Sequence, residues 1–165
     1  MGKQSVDQKH RGNLQSRPVE PTTLNQIICS GGLFLARDTK RFLLLLRTQG
    51  KTAGTWGLVG GKKEPTDLTP YDALDREISE EVGVTPKIKK VIPLELFTSN
   101  DQNFQYNTYV LMIDKEFIPH LNGEHAGYAW CSFDCWPKPL HQGVKNSFAN
   151  RAIRAKLELL LDLID

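Results

Sequence analysis

The sequence predicts an α/β fold, a mixed β-sheet held between helices. Short apolar runs of strand length recur between turn signals along most of the chain. A helical segment with its own start and stop signals interrupts them in mid-chain. A second helical segment, amphipathic and longer, follows the last strand.

Composition sets outer limits on function. The chain has 165 residues, 39% hydrophobic and 24% charged, which suits one globular domain. The net charge of +2 is too small to require a nucleic-acid or membrane partner. Cys29, Cys131 and Cys135 are odd in number and form no CxxC pair. That pattern argues against a disulfide framework and a four-ligand zinc site, and implies reduced thiols in a cytoplasmic setting. The most apolar run, Phe42 to Leu46, falls far short of the roughly 20 residues that span a bilayer. No secretory signal opens the chain, so a soluble protein is expected.

Taken in order, Met1 to Leu24 is polar and reads as a flexible leader, with the folded domain over residues 25–165. Ile27 to Ala36 reads as a strand, and Gly31-Gly32 within it marks a bend or a close approach. Arg37 to Lys40 is a turn, and Arg41 to Arg47 a second strand buried on both faces, so the two form a hairpin. Gln49 to Gly54 is a polar loop. Thr55 to Val59 is a short strand running into Gly60-Gly61, and Lys62 to Leu68 a loop.

The mid-chain helix spans about Pro70 to Val82. Thr69 is a good N-cap, Pro70 suits the first turn, and Asp72 stands where a capping box places an acid. Gly83 supplies the stop. Strands follow at Ile88 to Phe97, Gln105 to Ile113 and Ala126 to Phe133, with a turn at Asn100 to Asn103. The last helix covers about Lys145 to Leu163.

The mid-chain helix carries its charge in an unfavourable place. At about 100° per residue, Glu77 and Glu81 lie about 40° apart, and Glu80 about 60° to the other side of Glu77. Leu74, Ile78 and Val82 form a separate stripe for the core. A like-charged i,i+4 pair costs a few tenths of a kcal/mol, and acids in a last helical turn oppose the dipole. Only Arg76 offers a local partner. A solvated acidic face is the ordinary outcome; a hard divalent cation held by convergent carboxylates is the functional one. Gly60-Gly61 would allow close backbone approach to a metal or phosphate.

The segment Gly61 to Val84, ending Arg76-Glu-Ile-Ser-Glu-Glu-Val-Gly-Val84, resembles the Nudix box. That pattern is a Gly, five residues, a Glu, seven residues, then Arg-Glu-aliphatic-x-Glu-Glu-x-Gly-aliphatic. The second half matches throughout. In the first half, Asp67 stands where the family has Glu, and one extra residue, Leu68, precedes the helix start. Asp67 and Glu64 are both candidates for the first box carboxylate. Gly54 to Gly61 and Glu124 to Trp130 also look like the family's flanking segments, so the resemblance covers about Ile27 to Leu163.

The resemblance implies a Nudix-type α/β/α sandwich with a mixed β-sheet, and an enzyme that cleaves the pyrophosphate linkage of a nucleoside diphosphate joined to another moiety, such as ADP-ribose or a nucleotide sugar. Alternatives are a nucleoside triphosphate, a dinucleoside polyphosphate or capped RNA as substrate, or a non-catalytic nucleotide-binding module. The resemblance further implies Mg²⁺, with Mn²⁺ as a substitute, on Glu77, Glu80, Glu81 and the Gly61 carbonyl. Arg76 would orient Glu77, and the general base would be a box glutamate or a glutamate on a later loop, for which Glu124 is the candidate. Arg47, Trp56, Gly60 and Gly61 are the candidate substrate contacts. The partner expected is a small nucleotide derivative, without a required nucleic acid, and a homodimer is compatible.

Outside the motif, Phe97, Tyr106, Tyr109 and Trp56 are candidates to stack on a base, although strand aromatics more often belong to a core. His120, His125 and His141 lack a metal-ligand spacing and read as surface residues.

Overall fold

The computed structural model describes residues 25–164. The leader expected over Met1 to Leu24 lies outside the described residues. The elements are β1 (Ile27–Ala36), β2 (Arg41–Arg47), β3 (Trp56–Gly57), β4 (Val59–Lys62), α1 (Pro70–Glu81), β5 (Lys90–Thr98), β6 (Phe104–Ile113), β7 (His125–Ser132), α2 (Gln142–Ala149) and α3 (Arg151–Leu163).

Alternation along β1 builds two cores. Leu33 and Leu35 point to one face, where they meet Val144 and Phe148 of α2 and Ile153 and Leu157 of α3. Phe34 and Ala36 point to the other, where they meet Leu74 and Ile78 of α1. The expected sandwich is present, with α1 on one face of a mixed sheet and α2 and α3 on the other. Among the described residues, no helix is long and apolar enough to cross a membrane.

The sheet order is β3-β2-β1-β6-β5, with β4 on β1 and β7 on β2. β6 runs parallel to β1 along its full length, from Ile27↔Phe104 to Ala36↔Ile113. The other edge of β1 is shared in succession. Leu35 and Ala36 pair with β2, which is the expected hairpin. Cys29 to Gly32 pair instead with Val59 to Lys62 of β4. The sheet therefore forks beside Gly31-Gly32. Those glycines serve close approach, as expected: a Cβ on Gly31 would overlap the Tyr106 hydroxyl, and one on Gly32 would lie 2.6 Å from Leu111 Cδ1.

α1 begins as expected. Thr69 and Asp72 form a reciprocal capping box, with bonds of 3.0 and 3.1 Å. It ends where Gly83 takes φ +76°, a conformation open to glycine at little cost.

The single last helix expected over Lys145 to Leu163 is two helices. Asn150 is extended (φ −72°, ψ 125°), and its side chain accepts from the N–H groups of Ala152 and Ile153. A side chain that caps a new helix competes with continuation of the old one, so the chain breaks there.

Candidate active site

α1 brings its acids to the fork. Burial of Leu74, Ile78 and Val82 against the sheet fixes the helix rotation and carries Glu81 inward, where it is only 3% exposed. Glu81 Oε2 accepts the Gly60 N–H at 3.0 Å. Burial raises the Glu81 pKa to about 8, with the negative charges of Glu77 and Glu124 adding and the Gly60 N–H opposing. Glu77 lies against Gly61, where an added Cβ would come within 2.5 Å of its Oε1. Its pKa is also raised, chiefly by burial, against the pull of Arg76. Glu80 stays at the rim with its side chain 53% exposed. The three carboxylates of one helical stripe thus occupy three different depths.

Arg76 ties the helix to the preceding loop. It donates to Asp67 at 2.9 and 3.2 Å, to Glu77 at 3.1 Å, to Glu80 at 3.4 Å and to the Lys62 carbonyl at 3.1 Å. Asp67 is buried, and its carboxylate also accepts the Glu64 N–H at 2.8 Å. Those bonds, the Arg76 one first, hold the Asp67 pKa below its ordinary value. The Glu64 side chain is exposed and only reaches 3.8 Å from Arg76. Of the two candidates for the first box carboxylate, Asp67 therefore holds the arginine.

β7 supplies the facing wall. A register shift between Leu46 and Arg47 sets Arg47 opposite His125. One ligand atom each of Glu81, Glu124 and His125 lies within 4.8 Å of the others. This corrects the surface reading of His125, which is 7% exposed. Its Nδ1 is buried without a hydrogen-bond partner among the described residues. Burial, and then the Arg47 charge, push its pKa down to about 4, so the ring is neutral near pH 7. No spacing signal marked it, because a strand start and a helix end meet there only in three dimensions.

Arg47 donates through Nε to Thr52 Oγ1 at 2.8 Å, and it forms no ion pair among the described residues. His141 is also half-buried, not a surface residue: its segment docks through the Trp56 N–H to Pro139 and the His141 N–H to Trp56. His141 Nδ1 accepts the Gly143 N–H at 3.1 Å, so the neutral ring carries its proton on Nε2. Burial, then Arg47, lower its pKa. His120 is exposed, as expected.

The aromatic candidates part company. Trp56 packs on the α2–α3 core and Tyr109 on the α1 core. Phe97 is half exposed and forms a chain of tilted ring contacts through Phe104 to Tyr106. Tyr106 sits over Gly31, and its pKa is raised by burial first and then by the charges of Cys29 and Glu81.

These residues suit a divalent cation. Buried Glu81, which has no ion pair among the described residues, exposed Glu124 and a buried imidazole nitrogen lacking a partner form a donor set whose protons a metal can replace. A concavity of about 470 Å³ at Arg37, Asp38, Lys40, Asp114 and Ile164 lies at the far end of β1. There Lys89 and Arg37 both pair with Asp114, and the box residues are not among its lining.

Comparison with known proteins points the same way. A family model described as the NUDIX domain matches residues 30–150. A CTP pyrophosphohydrolase of Escherichia coli is 28% identical over 103 residues, covering 59% of this chain and 70% of that protein. A MutT NUDIX hydrolase from Burkholderia pseudomallei superposes with TM-score 0.59 at 26% identity, covering 78% of this chain and 96% of the other. A MutT/nudix family protein from Enterococcus faecalis superposes with TM-score 0.55 at 19% identity over 64% of this chain. This chain spans 43% of the length of that protein.

Proposed function

The chain belongs to the Nudix hydrolase family, and from that premise we propose that it uses a divalent cation to hydrolyse the pyrophosphate linkage of a nucleoside diphosphate joined to another moiety. The observation that carries this reading is the placement of buried Glu81 against Glu124 and His125, beside Arg47, which forms no ion pair among the described residues. Such an assembly of negative groups has a purpose when cations and a polyphosphate enter it together.

Glu77, Glu80 and Glu81 would hold the cation, with the Gly61 carbonyl as a further oxygen. Once bound, a divalent ion neutralises charge on the diphosphate and lowers the pKa of a bound water. Arg76 orients Glu77 and offsets repulsion among the acids, itself anchored by Asp67. A box glutamate, or Glu124 exposed at the mouth of the cluster where it does not itself hold the ion, accepts the proton of the attacking water. Arg47 binds phosphate oxygens, and the side-chain-free backbone of Gly60-Gly61 lets the phosphates approach closely. The free cysteines fit a reducing, cytoplasmic setting.

A second substrate reading has its own support. A nucleoside triphosphate is a nucleoside diphosphate joined to phosphate, and the Escherichia coli relative is named a CTP pyrophosphohydrolase. Product analysis with Mg²⁺ over ADP-ribose, a nucleotide sugar, the nucleoside triphosphates, a dinucleoside tetraphosphate and capped RNA separates the readings. Turnover of one class, lost in Glu81→Gln, is expected. Absence of cation-dependent turnover on every member would overturn the proposal.

A further inference from the structure

We infer that His125 is itself a metal ligand, so that Glu81, Glu124 and His125 form a mixed oxygen and nitrogen site favouring a borderline first-row divalent cation over Mg²⁺. The inference rests on the hydrolase reading but concerns which ion this site takes and through which atoms.

His125 is over nine-tenths buried, and its Nδ1 has no hydrogen-bond partner among the described residues. An unpaired buried imidazole nitrogen is costly unless something occupies it. A ligand atom of the same ring lies within 4.8 Å of carboxylate oxygens of both Glu81 and Glu124. Two ligand bonds of roughly 2.0–2.2 Å at one ion span at most about 4.4 Å, so the donors would close inward on the ion.

The neighbours favour this over a structural role for the ring. Arg47 stands opposite His125 in the register, but its Nε donates to Thr52 Oγ1 and the His125 Nδ1 stays without a partner among the described residues. Glu124 is the residue before His125, so one strand start delivers both an oxygen and a nitrogen donor. The third donor, Glu81, is oriented by the Gly60 N–H at 3.0 Å.

The donor set decides selectivity. Mg²⁺ strongly prefers oxygen and gives up water reluctantly. Imidazole suits the first-row transition ions, whose affinity rises from Mn²⁺ through Co²⁺ to Ni²⁺. A site with one imidazole among two carboxylates therefore binds Mn²⁺ more tightly than Mg²⁺ and Co²⁺ more tightly still.

The test uses the full-length protein with Mn²⁺ alone, read by pulsed EPR for modulation from a directly coordinated imidazole nitrogen. Expected is such modulation in the wild type and its loss in His125→Asn. Calorimetry is expected to show the Mn²⁺ preference over Mg²⁺ falling by about tenfold in that variant. Bound Mn²⁺ without nitrogen modulation in the wild type overturns the inference, and needs no variant that folds. Modulation that persists in His125→Asn overturns it too. In both cases Mg²⁺-dependent hydrolysis still stands as a separate measurement, so the family activity and the nitrogen ligand fail independently.

Discussion

The Asp67 carboxylate closes on the Arg76 guanidinium at 2.9 and 3.2 Å from within the protein, while Glu64 stays outside at 3.8 Å. The box thus keeps its arginine anchor although its first acid is one methylene shorter. Residues that orient metal ligands typically cost 10–100-fold when lost. Asp67→Asn is therefore expected to lower cation-dependent kcat by about that range, with Glu64→Gln within about twofold of wild type. Steady-state kinetics on the preferred substrate decide it; equal losses would mean that both acids anchor Arg76.

Glu81→Gln separates function from stability. Removing a ligand from the centre of the cluster is expected to cut turnover by orders of magnitude. The same change removes a buried negative charge beside Glu77 and Glu124, so the metal-free protein should melt higher at pH 8. A gain of 1 kcal/mol corresponds to about 2–4 °C at this chain length. Thermal melts with and without Mn²⁺ check both halves. A variant that retains near wild-type rates, or melts lower without metal, contradicts the assignment.

The pH dependence follows from the same carboxyl. Its pKa in the folded protein, about 8, stands above the ordinary 4.5. The stability it contributes is complete below pH 4.5 and is lost as pH rises towards 8 in the metal-free state. A cation must displace that proton, so affinity should rise between about pH 5 and 8, with about one proton released per ion bound. Calorimetry in two buffers of different ionisation enthalpy counts the proton. Affinity flat across this range would show that Glu81 is ionised before metal arrives.

His125 carries the opposite sign. Its pKa of about 4 lies below the ordinary 6.5. The stability of its neutral form is complete above pH 6.5 and is lost as pH falls through 4. In His125→Asn, unfolding below pH 6 should become less steep with pH than in the wild type. Chemical denaturation at a series of pH values measures the slopes, and identical slopes would place the acid sensitivity elsewhere.

Gly60 and Gly61 should fail in different ways. Gly60 has φ +152°, and a Cβ there would overlap the Ser30 carbonyl oxygen of the paired strand. Gly60→Ala should cost more than about 2 kcal/mol in stability, because backbone must move. At Gly61 the obstacle is the Glu77 carboxylate, a movable side chain. Gly61→Ala should keep the fold and lose activity by displacing Glu77. Paired melts and rate measurements distinguish them.

The order of elements was legible in the chain because it depends on local signals. Thr69, Pro70, Asp72 and Gly83 mark the ends of α1 by capping and turn chemistry alone. The spacing of Leu74, Ile78 and Val82 sets which side of α1 is buried, and so leaves the acids on another. The box acids were legible for the same reason, since one helix holds them all. Asn150 was missed because its neighbours keep a helical pattern across it, and only the folded backbone shows its side chain capping a second helix.

By itself, then, the sequence determined the α/β architecture, the hydrolase motif and the acids of α1, all of which follow from spacing along one element. Only the tertiary structure decided that Asp67 anchors Arg76, that Glu81 is buried, and that His125 joins Glu124 beside it. The physical reason is the fork in the sheet. β1 passes from β4 to β2 along one edge, and that long-range pairing brings together side chains that lie far apart in the chain.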